Sequence, residues 1–408
     1  MNCRFDNQPL THEFVDLGFS PPSNSLLTSS QLNEPEIHYP LKLYVSERTF
    51  LVQIEEHKKA EEIFSEEYVY FSSFSSSWLK HSKNYVEQMT ERFRLDQNSQ
   101  VIEIASNDGY LLQYFKEKNI PTLGIEPTHS TAKVALQKNI ETWVEFFGVE
   151  LANKLAKEDR KADLLLGNNV LAHVPNLNDF VAGLKIALKS DGVITMEFPH
   201  LMQLVENNQF DTIYHEHFSY FSFFTVQQIF KAHNLILFDV EEIPTHGGSL
   251  RIYAKHAEDT SKAISNNVDK LIAKEFQKGM NTLDYYKNFQ EKVNKVKYDF
   301  LDFLLEQKKL GKKVVAYGAA AKGNTLLNYC GIKKDLISFV IDKSPHKQGK
   351  FLPANHIPIV SENLLREEKP DFIVILPWNI KDEIMTQLSY ITEWKGKFVV
   401  AIPNLEVL

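Results

Sequence analysis

The sequence predicts an α/β protein of three parts: a doubly wound, Rossmann-like sheet in the middle, a small mixed N-terminal domain, and a second Rossmann-like α/β domain at the C-terminus. Three observations carry this. Residues 101–112 read VIEIASNDGYLL and residues 122–127 read TLGIEP, so an apolar strand enters a small-residue turn and helix, and a second strand ends on Glu126. From about residue 84, strand-like and helix-like runs alternate, which implies a mostly parallel sheet with right-handed crossovers. At residue 313 the logic returns: VVAYG, a turn AAAKGN, a helix start at 325–330, then ISFVI ending on Asp342.

Residues 1–80 form a turn-rich first region, with Pro21-Pro22-Ser23-Asn24-Ser25, a strand-like 40–45, and helical periodicity only at 60–64. A unit this small needs a staple or a large neighbour to stay folded. Its closing tract, Tyr68 through Trp78, mixes aromatics with serines and suits a lid, a pocket wall or an interdomain strand. The middle domain, 81–255, opens with an amphipathic helix at 85–93. Strands follow near 100–104, 121–126, 141–146, 162–167 and 192–198, and a helix at 179–188 leads into the turn Lys189-Ser190-Asp191-Gly192. Two strand-like runs, at Leu235–Ile243 and 250–255, read as a hairpin that closes the sheet. The last domain, 256–408, begins with charged helices at 268–276 and 283–305.

At 408 residues the chain exceeds one typical core. Its 43% apolar and 24% charged content is that of a soluble globular enzyme. A net charge of −8 argues against nucleic-acid binding, which needs a basic face to displace counterions. No run approaches eighteen uncharged apolar residues, and the opening MNCRFDNQPL lacks a signal-type apolar segment. Two cysteines, Cys3 and Cys330, cannot build a disulfide framework, so a cytoplasmic protein without membrane or nucleic-acid partners is expected.

Turns that open helices present backbone amides, and an acid ending the second strand can accept both hydroxyls of a ribose. The first turn has one glycine, Gly109, where dinucleotide binders carry three, so it lacks a tight pyrophosphate cradle. With Ala105, Ser106 and Asn107 in the turn and Glu103 in the strand end, it suits a nucleoside without phosphates. S-adenosylmethionine (SAM) is the commonest such ligand. Glu126 and Pro127 would meet its ribose, and Asn168 and Asn169, after the fourth strand, would face it near the transfer site. The second turn carries Lys322, a point charge suited to a phosphate.

The densest ionisable cluster, DTIYHEHFSY at 211–220, follows the fifth strand. His215 and His217 would share a strand face, but no third ligand follows at metal spacing and HExxH is absent, so no metal is expected here. Two readings stand: structural histidines among aromatics, or acid–base chemistry by a histidine that Glu216 or Tyr214 orients. Methylation at oxygen needs at most a base. Methylation at carbon needs a carbanion, hence a base beside a carbonyl and a donor for the enolate oxygen. A His–Glu–Tyr cluster meets the larger demand.

At these residues the chain resembles the sugar C-methyltransferases, SAM-dependent enzymes that methylate C-3 of nucleotide-linked 4-keto-6-deoxysugars. The resemblance covers essentially the whole length, through EIASNDGYLL (103–112), GIEP (124–127), NNVLAHVPNLNDFV (168–181), FDTIYHEHFSYF (210–221), THGGSLR (245–251), YGAAAKGNTLLNY (317–329) and ILPWN (375–379). It implies a class I methyltransferase sheet, a zinc-binding first domain and a C-terminal domain that helps hold the nucleotide sugar, of dTDP or GDP type. It implies that His217 takes the C-3 proton, with Tyr214, Glu216, His173 and Tyr68 around it. Tyr70, His246, Gly247, Lys322 and Asn324 are the expected substrate contacts. One departure is sharp: the family's two CxxC pairs read here Cys3-Arg4-Phe5-Asp6 and Ser46-Glu47-Arg48-Thr49. With one cysteine of four left, zinc is expected to be absent and the first domain to be held by packing. An O- or N-methyltransferase would leave the second crevice and the His–Glu cluster unexplained. A non-catalytic nucleotide-sugar binder would leave the 214–217 run unexplained, and a NAD-dependent oxidoreductase would need a glycine-rich turn.

Overall fold

The computed structural model describes residues 1–59, 62 and 71–408. Tyr68, Tyr70 and, Glu62 apart, the helical run expected at 60–64 lie outside the described residues. In chain order the strands are β1 (His12–Ser20), β2 (Tyr39–Val45), β3 (Val52–Ile54), β4 (Val101–Ile104), β5 (Thr122–Ile125) and β6 (Thr142–Trp143). They continue as β7 (Ala162–Asn168), β8 (Leu188–Pro199), β9 (Ser219–Tyr220), β10 (Leu235–Ile243) and β11 (Ser249–His256). The last are β12 (Val314–Tyr317), β13 (Val340–Ile341), β14 (Ile359–Val360), β15 (Phe372–Ile375), β16 (Lys397–Val400) and β17 (Glu406–Val407).

The middle sheet has the order β10-β11-β8-β7-β4-β5-β6. Its core strands are apolar on both faces, as a parallel sheet covered by helices requires; Val101, Ile102, Leu164, Leu165 and Leu166 are wholly buried. β4 pairs in parallel with β5 on one side and β7 on the other, which opens a crevice at their carboxyl ends. β11 lies antiparallel between β10 and β8. The C-terminal sheet, β14-β13-β12-β15-β16-β17, repeats the device, with β12 parallel to both β13 and β15. The fold class is thus the α/β arrangement that the alternating pattern predicts.

The first sheet is shared between regions far apart in sequence. β1, β2 and β3 form an antiparallel meander, and β9 completes it by pairing Val52 with Tyr220 and Gln53 with Ser219. One apolar core then joins this sheet to the segment 201–220 and to the C-terminal sheet and helices. Phe14, for example, stacks on Phe289 with ring centroids 4.8 Å apart. The small first region therefore has its large neighbour.

Four elements differ from expectation. The helix expected at 85–93 starts at Ser76, because the Ser75 side chain accepts the Trp78 N–H and caps it. The strand expected at 192–198 extends back to Leu188, which pairs with Ala162, and the residues of the expected turn, 189–192, bulge out before pairing resumes at Val193 and Leu164. The strand expected at 141–146 shrinks to β6. The helix expected at 283–305 breaks at Asn288, which takes φ 69°, leaving a short 3₁₀ turn Leu283–Tyr286 before the helix Phe289–Lys309.

Candidate active site

Buried polar atoms gather at the carboxyl ends of β4 and β7. In the turn after β4, Ala105 (φ 55°), Asn107 (φ 50°) and Gly109 (φ 74°) all adopt left-handed backbone, a conformation strained for the alanine. At Gly109 a Cβ would lie 2.5 Å from Ile140 Cδ1, so the turn packs closely here. Glu126 is buried, and its two oxygens accept the N–H groups of Asn107 (2.9 Å) and Thr128 (2.8 Å). Half-buried Pro127 leads into the helix His129–Gln137. Burial drives the Glu103 carboxyl well above its ordinary range, opposed by the Tyr110 hydroxyl, and neither carboxylate oxygen meets a hydrogen-bond partner of good geometry. Ser106 Oγ and both amide atoms of Asn168 are likewise buried without partners, while Asn169 donates its N–H to the Glu197 carbonyl at 2.8 Å.

Each such orphaned atom costs about 1–3 kcal/mol, so the crevice is shaped for a polar guest. Glu103 interacts electrostatically with Asp108, Glu126 and Glu197, which suits a cation. SAM carries a sulfonium and an ammonium, and its ribose hydroxyls could donate to the unused lone pairs of Glu126. The residues present fit SAM.

From this crevice an aromatic row leads toward the histidines. Glu197, at the end of β8, accepts from Arg251 Nε (2.7 Å) and pairs with His81 Nε2 (2.8 Å). Trp78 stacks on His81 (4.9 Å between centroids), lies 6.0 Å from Tyr110, and meets the His246 ring edge-on at 5.2 Å. Sequence reasoning missed Trp78 and His81; the only signal was the place of Trp78 at the end of a tract too aromatic for a linker.

His217 and His173 lie together beyond it. His217 Nδ1 is 2.8 Å from the Thr212 carbonyl, so that nitrogen carries the hydrogen and Nε2 is the acceptor. His173 Nδ1 is held in the same way, 2.8 Å from the Glu216 carbonyl. The two rings are 4.7 Å apart edge-on, with Tyr214 at 4.0 Å from His217 and Tyr220 at 6.0 Å. Burial holds His217 well below the usual imidazole range, helped by His173, His246 and Lys322 and opposed by the Thr212 carbonyl. Burial likewise lowers His173 and His246 to about 4. Glu216 moves the other way: burial raises it to about 7, against the pull of the Asn24 amide 2.7 Å from its Oε1. His215 and His217 do not share a strand face, because the segment is a turn here. His215 instead packs on Tyr39 and His57 of the first region, with Nε2 3.2 Å from the Pro40 carbonyl.

The C-terminal domain closes the far side. Lys322 Nζ donates to Asn379 Oδ1 (2.6 Å) and sits 4.6 Å from the Trp378 ring, whose Nε1 donates to Asp211 (2.7 Å). Burial raises Asp211 to about 6 and lowers Lys322. A Cβ on Gly247 would fall 2.4 Å from Trp378, so this glycine lets the two domains meet beside His246, itself at φ 56°. Asn324, an expected substrate contact, is wholly buried between the Ser23 carbonyl (3.5 Å) and Asn355 (3.1 Å); it has no face left for a ligand. The first amide of the turn, Ala319 N–H, is taken by Asp342 at 2.8 Å.

The positions of the family's zinc ligands come together without forming a zinc site. Cys3 Sγ lies 3.7 Å from Thr49 Oγ1, and Ser46 Oγ accepts the N–H groups of Arg48 (3.3 Å) and Thr49 (3.2 Å). One thiol, which burial holds in its neutral form, two hydroxyls and the Asp6 carboxylate are a poor donor set for zinc. Among the described residues, no group of three His, Cys, Asp or Glu side chains is placed to hold a metal ion, and no helix is long and apolar enough to cross a membrane.

This sheet order, with a fitting crevice at its switch point, defines a class I SAM-dependent methyltransferase. Residues 78–239 match the family model of a methyltransferase domain, 244–403 that of a C-methyltransferase C-terminal domain, and 3–64 that of a putative zinc binding domain. The chain is 31% identical over 406 residues to the C-methyltransferase NovU of Streptomyces niveus, covering 100% of this chain and 96% of that protein. It belongs to the SAM-dependent C-methyltransferase family. Among solved structures it is similar to a SAM-dependent methyltransferase from Anabaena variabilis (15% identity, 50% of this chain and 99% of that one, TM-score 0.38). It is also similar to magnesium protoporphyrin IX methyltransferase from Synechocystis, solved with bound SAM (12% identity, 48% and 88%, TM-score 0.34).

Proposed function

We propose that this enzyme methylates C-3 of a dTDP- or GDP-linked 4-keto-6-deoxysugar, with His217 as the general base. The observation that carries this reading is the fixed tautomer of His217. Its Nδ1–H is committed to the Thr212 carbonyl, which leaves Nε2 as an acceptor among His173, Tyr214 and Tyr220. Burial keeps the ring neutral at physiological pH, and the Thr212 carbonyl would stabilise the imidazolium as it forms. The C-3 proton lies next to the C-4 ketone, so its loss gives an enolate. Tyr214, with Tyr68 from outside the described residues, supplies the hydroxyl donors for the enolate oxygen. Bound SAM supplies the electrophilic methyl group. Lys322 and His246, both electrostatically coupled to His217, flank the site from the C-terminal side, where Lys322 offers the diphosphate a cation. Tyr70 completes the proposed substrate contacts.

His217→Asn is expected to lower methyl transfer by about a hundred- to ten-thousandfold and to abolish exchange of the C-3 hydrogen with deuterated water in the absence of SAM. Near-normal values of both, alongside their loss in Tyr68→Phe or His173→Asn, would move the base to one of those residues.

A further inference from the structure

We propose that Asn24, on the first domain's loop 21–27, is a positioning residue of the methyl-transfer site that orients the Glu216 carboxyl. The inference rests on the reading of segment 214–217 as catalytic. Asn24 Nδ2 donates to Glu216 Oε1 at 2.7 Å across 192 residues of sequence, joining the first domain to the centre of the site.

The loop is fixed for this task from several directions. Ser23 Oγ lies 3.3 Å from Thr325 Oγ1, and Thr325 Oγ1 donates in turn to the Ile213 carbonyl at 2.9 Å, at the start of the same segment. Leu27 exchanges two backbone hydrogen bonds with Phe351 (2.9 and 2.8 Å). Downstream, Glu36 pairs with His356 at 2.5 Å. The loop is thus clamped to the C-terminal domain, and among the described residues only Asn24 reaches the Glu216 side chain in hydrogen-bonding range.

Glu216 depends on that single donor. Among the described residues no ion pair offsets its burial: loop 21–27 carries no charged side chain, and burial holds the flanking His215 and His217 below the usual imidazole range. His173 binds the Glu216 carbonyl through Nδ1 and is neutral too, and His215 turns toward Tyr39 and His57. On the helix Ala321–Cys330, Lys322 faces Asp211, and Cys330 is an uncharged buried thiol. A neutral amide donor favours the ionised carboxyl, while burial favours the protonated one. With Asn24 present the two balance near pH 7.

The test is an infrared titration of the ligand-free protein, following the carboxyl band that Glu216→Gln removes, together with the pH profile of methyl transfer. Asn24→Ala is expected to raise the Glu216 midpoint by about one pH unit and to move the acidic limb of the profile up with it. Asn24→Gln should restore part of both. An unchanged Glu216 band in Asn24→Ala and Asn24→Ser would overturn the pairing. A shifted band with an unshifted rate profile would overturn the positioning role while leaving His217 as base untouched. Because the band needs no substrate, the pairing is decided even where His217→Asn retains activity.

Discussion

A backbone carbonyl, that of Thr212, selects the tautomer on which His217 depends, and no sequence pattern announces such a group because every residue has one. The structure brings Tyr214, Glu216 and His217, from the dense ionisable run 211–220, together with His173 from the loop after β7. What misled were residues whose chemistry is real but directed inward. Asn324 looked like a ligand contact because it follows a helix-opening turn, yet its amide is spent on Ser23 and Asn355. Gly109, expected against the cofactor, also has a packing duty toward Ile140. Glu126 is the residue of that crevice on which a prediction can rest. Glu126→Gln keeps the shape but replaces one acceptor oxygen by a donor, and SAM affinity measured by calorimetry is expected to fall by about tenfold to a hundredfold. Unchanged affinity would place the ribose elsewhere.

At the scale of elements, strands with strong apolar runs came out where the periodicity placed them, because burial on both faces of a parallel sheet leaves a sequence signature. Helix and strand starts were the harder part. The serine-rich run before Trp78 disfavours a helix by composition, but Ser75 as a cap and burial of Ser82, Tyr85, Val86 and Met89 overrule it. Lys189 to Gly192 has the composition of a turn and bulges out between the paired Leu188 and Val193, inside the span of β8. The turn 245–248 joins β10 to β11 and touches the other domain as well. Gly247→Ala would need a left-handed alanine at φ 89° and would drive its Cβ into the Trp378 ring. A loss of about 2–3 kcal/mol in unfolding free energy is expected, read by denaturant titration. Gly331→Ala, also at positive φ but with nothing within 4 Å, supplies the comparison for backbone strain alone.

For the whole molecule, the three-part organisation was readable from charge, periodicity and the repeated strand–turn–acid device, but the sharing of structure between the parts was not. Pairing of β3 with β9 is two residues long and lies between regions that no local pattern connects. The first region, with Cys3, Asp6, Ser46 and Thr49 at the positions where the family resemblance implies zinc ligands, is joined to the rest by packing: the core that includes Phe14, Leu43 and Val52 continues into Phe218, Phe289 and Leu327. Purified protein is expected to carry far less than one zinc per chain after chelator treatment and dialysis, with an unaltered melting temperature. Retention of one tightly bound zinc would reveal a ligand set drawn from elsewhere in the chain.

The completion of the first sheet by β9 also sets a timetable for synthesis. Asn24 leaves the ribosome 192 residues before Glu216 does. At about 5–20 residues per second, that is a wait of roughly 10–40 seconds. Throughout it, β3 exposes an unpaired edge, and Phe14 and Val52 have no C-terminal domain to cover them. The apolar surface of the newborn amino-terminal region therefore stays uncovered until the last third of the chain, with Phe289 and Leu327, has been made.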